Sequence, residues 1–225
     1  MKNVKVLVTI VILIQTITMF GQLERQNGLS ITIKGPNTRI DGVTPEDASG
    51  KTQHLRFLTE EYIEAKITGL DDTFYLRFNI IADEMEFIKD GKIYFLSKKE
   101  NQEIHFTKLN RNFKVINVND EFQYFEINFK GKASLYTKQQ VVFKKGKVAQ
   151  NQFESAKKSK FIQKKDTYYL KVNNDELIKL PKSKNDFYAV FGENSKKIKT
   201  FIKKEKLNRK EITDVIKVVK YYNTL

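Results

Sequence analysis

From Gln53 to Leu180 the chain contains no proline, and along that stretch apolar and polar residues alternate repeatedly. Proline removes an N–H from a sheet ladder and is confined to edges and bulges. A long proline-free run of alternating residues therefore suits a sheet with many central strands. In "FYLRFNII", Phe74, Leu76, Phe78 and Ile80 share one face. The same pattern recurs in "KIYFLS", "EIHFTKL", "NFKVINV", "FQYFEINF", "KASLYTKQQVVF", "KFIQ", "DTYYLKV" and "ELIKL". Turn-forming pairs separate these runs: Asp90-Gly91, Asn119-Asp120, Lys130-Gly131, Lys145-Gly146 and Asn173-Asn174. With 17 Phe and 10 Tyr the chain is rich in residues that pack on pleated surfaces. The expected fold is α+β and mainly β: an antiparallel meander, forming a curved sheet or half-open barrel, with a C-terminal helical tail.

The period changes after Pro181. "SKNDFYAVF" reads as a short helix. In "SKKIKTFIKKEK" the apolar residues Ile198, Phe201 and Ile202 fall at i, i+3, i+4. In "NRKEITDVIKVVKYYN", Ile212, Val215, Ile216, Val219 and Tyr222 form one stripe, with Lys217 and Lys220 off it. Asn208 and Glu211 have capping-box spacing, with Asn in place of the usual Ser or Thr. Such helices bury their apolar faces on the sheet or on one another. A closed outer-membrane barrel is the competing β architecture, but it needs strands of about ten residues with a lipid-facing apolar row, and several runs here are shorter.

The N-terminal stretch "MKNVKVLVTIVILIQTITMFGQ" has the layout of a secretory signal: Lys2 and Lys5, an apolar run from Val6 to Ile14 broken by Thr9, then polar residues and a small Gly21. Cleavage is expected after Gly21. The apolar run is shorter than the about 20 residues of a membrane span, so no transmembrane segment is expected after cleavage. The expected organisation is a signal peptide at 1–21, a polar, partly irregular segment at 22–53, an antiparallel β domain at 54–180, and a lysine-rich helical tail at 181–225 packed on it. The polar segment carries Gly28, Gly35, Gly42 and Gly50 at near-regular spacing, but its apolar residues do not follow that spacing, so no repeat is implied. One short strand is expected there, at "LSITIKG". The expected destination is outside the cytoplasm, periplasmic or extracellular.

Several chemistries are disfavoured by composition. The chain has no cysteine, which removes disulfides, thiolate nucleophiles and cysteine-ligated metals. Its two histidines, His54 and His105, sit in unrelated contexts and form no helical metal pair. There is no nucleophile elbow, phosphate-binding glycine loop or dinucleotide fingerprint. No catalytic residue, metal or cofactor is expected.

Charge is distributed very unevenly. Of the formal net charge of +14, residues 144–225 carry +13, from 22 Lys/Arg against 9 Asp/Glu. The candidate anion-binding residues are those of the tail: Lys196, Lys197, Lys199, Lys203, Lys204, Arg209 and Lys210. Arg209 is the only arginine among the 22. Specific phosphate or base readout leans on arginine forks, so the expected partners are anionic lipid, glycan or an acidic protein rather than a specific nucleic-acid sequence.

The acids of "YLRFNIIADEMEF" are the one cluster that resembles an active site. On a strand, Glu84 and Glu86 share a face, with Cα atoms about 7 Å apart at ~3.3 Å per residue, while Asp83, Met85 and Phe87 take the other. Arg77 has the parity to lie across from Glu84 or Glu86. The expected role of Arg77, Glu84 and Glu86 is a structural cross-strand ion pair; a carboxylate-dependent hydrolase is the weaker alternative.

At "LRFNIIADEMEF" the chain resembles a group of exported bacterial proteins whose shared hairpin reads Leu-Arg-Tyr/Phe-Asn, a short gap, then Asp/Asn-Glu-Met/Ile-Glu-Phe. It is similar to them again at "VFGENSKKIKTFIKKEKLNRKEITDVIKVVKYYNTL", a helical tail containing Tyr-Tyr-Asn. Phe78 stands where tyrosine is commoner. The resemblance covers about half of the chain beyond residue 21, implies export and a β-rich body, and carries no activity and no functional residue. The functional expectation is a non-enzymatic exported protein whose basic C-terminal surface binds anionic partners, with a structural protein-interaction module as the alternative.

Overall fold

The computed structural model describes residues 23–26, 29–32, 50–149, 153, 155–173 and 175–225, the first eight as backbone only. The expected signal segment with its cleavage point, Gly28, Gly35, Gly42 and Asn174 lie outside those residues.

Two antiparallel meanders build the sheet. The first runs through β3 (Ile63–Ile67), β4 (Thr73–Asn79), β5 (Glu84–Lys89) and β6 (Lys92–Leu96). The second runs through β7 (Glu103–Phe106), β8 (Arg111–Val118), β9 (Glu121–Phe129) and β10 (Ala133–Lys138). They join because β7 pairs with β3, on the far side of the first meander from β6. At one edge β1 (Leu23–Gln26) and β2 (Leu29–Thr32) add to β6, and at the other β13 (Thr167–Val172) and β14 (Ile178–Lys179) add to β10. The result is an unclosed, antiparallel, twelve-stranded sheet followed by helices, an α+β fold that is mainly β. β2 is the strand expected at "LSITIKG"; β1 has no counterpart in the expectation. No helix among the described residues is long and apolar enough to cross a membrane.

The tightest hairpins follow their turn residues. Asp90 and Gly91 (φ 50° and 70°) join β5 to β6, and Asn119 and Asp120 (φ 52° and 63°) join β8 to β9. A two-residue type I′ hairpin turn needs both central residues in the left-handed region, which Asn, Asp and Gly adopt at low cost. Lys145-Gly146 departs from this rule and forms no hairpin turn. "KASLYTKQQVVF" also departs, breaking at Gln139–Gln140. Its first half is β10; its second half, β11 (Val141–Lys144), leaves the large sheet and pairs with β12 (Lys160–Gln163). The alternation continues through both halves, and alternation does not say where the hydrogen-bonding partner changes.

Two apolar clusters hold the molecule. The first fills the β3–β9 face with Ala65, Met85, Ile104, Phe106, Phe113 and Val115, and includes Val141 and Phe161 of the β11/β12 ribbon. The second lies where the helices α1 (Lys184–Ala189), α2 (Ser195–Lys204) and α3 (Ile212–Tyr222) cover Leu135 of β10 and Leu170 and Val172 of β13. Ser183 caps α1, its hydroxyl accepting from the Asp186 N–H. In α3 the buried residues are Val215, Val218, Val219 and Tyr222, each worth about 1.5–3 kcal/mol of burial. Ile212 and Ile216 of the expected stripe are only partly buried, so the buried face is turned toward Val218.

Asn208 and Glu211 form no capping box. α3 starts later than expected, with Glu211 at its N-cap making no side-chain bond. The Asn208 N–H instead donates to Asp214 Oδ2 (2.9 Å), and Asn208 Oδ1 accepts from the Lys210 N–H (3.0 Å). At the other end Asn223 pins α3 to the β9–β10 turn. Its amide donates to the carbonyls of Ala133 (2.8 Å) and Val219 (2.7 Å), while its Oδ1 accepts from the Ala133 N–H (3.2 Å). This explains Gly131: a Cβ there would come within 2.1 Å of Asn223 Oδ1.

Candidate functional site

Arg77 and Glu86 stand opposite each other in the β4–β5 register. Arg77 Nε and Nη2 both donate to Glu86 Oε2 (3.0 and 2.7 Å), and Asn79 Nδ2 donates to Oε1 (2.7 Å). The guanidinium lies over the rings of Phe57 (3.9 Å) and Tyr62 (4.5 Å), and Arg77 Nη1 reaches the Glu60 carbonyl (3.2 Å). Glu86 is therefore buried under the segment before β3 and does not sit on a solvated face. Burial raises the Tyr62 phenol above its ordinary value; Arg77 opposes that shift and Glu86 adds to it. Glu84 pairs in register with Asn79 and takes no part in the Arg77 pair. With every Glu86 oxygen engaged, this group is built to hold a hairpin closed.

Asp83 does not follow strand parity. It sits in the turn before β5 at φ 54°, where its carboxylate leaves the ladder. Its Oδ2 accepts from Lys98 Nζ (2.9 Å) and the Tyr124 N–H (3.2 Å), and its Oδ1 from Lys138 Nζ (2.5 Å). One acid thus ties the β4–β5 turn to β9, to β10 and to the chain after β6. Lys138 is largely enclosed, and desolvation lowers its pKa while Asp83 pulls it back up. The Tyr124 hydroxyl, buried without a hydrogen bond, is pushed well above the usual phenol range, first by desolvation, then by Glu84 and Asp83. An open cleft of about 720 Å³ passes this cluster.

A dense group of like charges lies on the ribbon. The sequence contains two Lys-Lys-x-Lys tetrads, "KKGK" at 144–147 and "KKSK" at 157–160. The ribbon lays them antiparallel: Lys144 pairs with Lys160, and Lys147 bridges Lys157 with both backbone hydrogen bonds at 2.8 Å. The chains are close enough that a Cβ at Gly146 would stand 2.2 Å from the Lys157 carbonyl oxygen. The Gly146 N–H donates to the Ser159 hydroxyl (2.9 Å), which fixes the register between the tetrads. Lys144, Lys145, Lys147, Lys157, Lys158 and Lys160 are all exposed and together line a cleft of about 500 Å³. None of them forms an ion pair with a carboxylate of the described residues, whereas Lys98, Lys114, Lys130, Lys138 and Lys217 all do.

The tail residues expected to bind anions do not form one site. Lys196, Lys197 and Lys204 line an open groove of about 460 Å³ beside Phe201 and Tyr221, whose rings stack at 4.0 Å. Lys199, Lys203 and Lys210 are exposed but do not line it. Arg209 is held against α1, donating to the Ser183 carbonyl (3.3 Å) and lying over Phe187 and Tyr188. His54 is exposed on the 3₁₀ turn Gly50–Arg56, and His105 Nδ1 lies 2.8 Å from Asn112 Oδ1 on the neighbouring strand. The ribbon lysines are not among the expected anion-binding residues, because Lys145-Gly146 has the composition of a turn and lies instead within the ribbon. The repeated tetrad was the signal available. Compared with known proteins, the chain matches no family, no curated protein and no solved structure.

Proposed function

We propose that this is an exported, non-enzymatic binding protein whose anion-binding surface is the lysine ribbon of β11 and β12. Six exposed lysines held in register, with no carboxylate partner among the described residues, carry this reading. Like charges set side by side on adjacent strands repel, so their assembly costs stability. A polyanion laid along the cleft offsets that repulsion. Lysine without arginine gives diffuse attraction rather than forked recognition, so the ligand class is a multiply charged phosphate, sulfate or carboxylate surface. Export is supported by the three-part N-terminal stretch and by the hairpin resemblance.

The test is retention on a sulfated-glycan column. Replacing all six ribbon lysines by glutamine is expected to remove most of the retention, and replacing Lys196, Lys197 and Lys204 to change it little. Elution of the parent protein should move earlier with each increment of salt, because the attraction is screened with a Debye length of about 8 Å at physiological ionic strength. Equal losses from both variants would mean that net charge, and no assembled site, governs binding.

A further inference from the structure

The ribbon has a second property that a soluble polyanion would leave unused. Just beyond the Lys147–Lys157 bridge, Val148 is 86% exposed and Phe153 88%, the two most exposed large apolar side chains among the described residues. The next, Tyr75, is 64% exposed and lies on β4. Among the described residues, the two most exposed large apolar side chains and six lysines without a carboxylate partner thus occur on one element. That element contributes Val141, Phe143 and Phe161 to the core only at its base.

We infer that the ribbon docks the protein on the surface of an anionic lipid bilayer, with Val148 and Phe153 entering the headgroup layer and the six lysines lying among the headgroup phosphates. This rests on the anion-binding reading above and narrows it. A glycan or nucleic-acid chain would satisfy the lysines but would leave an aliphatic valine in water. A bilayer offers phosphate charge and, a few ångströms deeper, an apolar layer, in the same order as the two residue types along the ribbon. Lysine suits this position because its stem lies along apolar surface while the ammonium stays with the phosphates. Reversible membrane attachment commonly needs two signals, an apolar insertion and a basic patch, since either alone is weak. Each lysine near an anionic surface contributes about fivefold in affinity, so six together form a strong electrostatic half.

The experiment is co-sedimentation of the protein lacking residues 1–21 with phosphatidylcholine vesicles, with and without phosphatidylglycerol. The parent protein should pellet only with the anionic vesicles. Val148→Ser with Phe153→Ser, both solvent-facing, should reduce that binding about tenfold or more and leave retention on the sulfated-glycan column unchanged. The six-lysine variant should lose both. Two results overturn the bilayer inference while the anion-binding reading stands: the tip variant pelleting like the parent, or the parent being held by the column through its ribbon lysines yet failing to pellet. Failure of the parent on both the column and the vesicles overturns the two together.

Discussion

At the scale of single residues, Asp83 joins three separate parts of the sheet. It holds Lys98 and Lys138 with one carboxylate, and all three side chains are less than a fifth exposed. Removing one partner from an enclosed ion pair leaves an uncompensated charge, a loss of 3–5 kcal/mol when burial is complete. Residual exposure screens part of it, so Asp83→Asn, which keeps shape and tolerates φ 54°, is expected to cost about 2 kcal/mol. Urea unfolding measures this directly. A second change, Lys138→Met, should recover part of the loss in the Asp83→Asn background, and a neutral Asp83→Asn would show the pair to be fully screened. The pH dependence has a definite sign. The folded Lys138 pKa lies below the unfolded value, so the unfolded chain binds more protons between the two. This group's contribution to stability therefore rises with pH across that window, and Lys138→Met should flatten the rise. Asp83 also marks where residue-level reading stops. Parity placed Arg77 opposite one of two glutamates because both strands are regular there. It misplaced Asp83, because a left-handed turn residue belongs to neither face.

At the scale of elements, the ribbon depends on one glycine. A methyl group at Gly146 would meet the Lys157 carbonyl oxygen at 2.2 Å and the Ser159 nitrogen at 2.7 Å. Both are backbone atoms of the facing strand, so the strands must separate. Gly146→Ala is expected to expose the Lys147 and Lys157 amides, which now donate across the ribbon, to rapid hydrogen exchange. The amides of β8 and β9 should stay protected, and column retention should fall as the tetrads part. Protection of Lys147 and Lys157 unchanged from the parent would show that the close approach is not needed. The strands themselves were legible in the sequence, because alternation and turn residues are local and each hairpin closes on its neighbour. Three features were not. β7 pairs with β3, β11 leaves the sheet that β10 belongs to, and Asn208 spends its side chain on a loop before α3. The first two are choices of partner made by distant parts of the chain, which no local pattern encodes; the third is a local competition, won by the Lys210 N–H two residues along.

At the scale of the whole molecule, the basic C-terminal third divides into two parts that differ in how they join the core. The helical tail is bound into the second core: α1, α2 and α3 cover Leu135, Leu170 and Val172, and Asn223 locks the last helix to the β9–β10 turn. Beyond Lys144 and Lys160, none of the described ribbon residues belongs to either core. Stability and binding should therefore separate on excision. Because Lys144 and Lys160 are direct register partners, residues 145–159 can be replaced by Asn-Gly, the two-residue connection that suits the twist of an antiparallel pair. The shortened protein keeps Phe143 facing Phe161, their rings 5.4 Å apart, and keeps Phe161 bonded through its N–H to Thr52. We expect it to melt cooperatively within a few degrees of the parent by circular dichroism, and to lose both column retention and vesicle binding. Removing residues 183–225 should do the opposite, exposing the β10 and β13 face and yielding insoluble chain while the ribbon lysines remain. Unfolding of the excised protein would place the ribbon in the folding core, and its clustered lysines would then need a structural explanation.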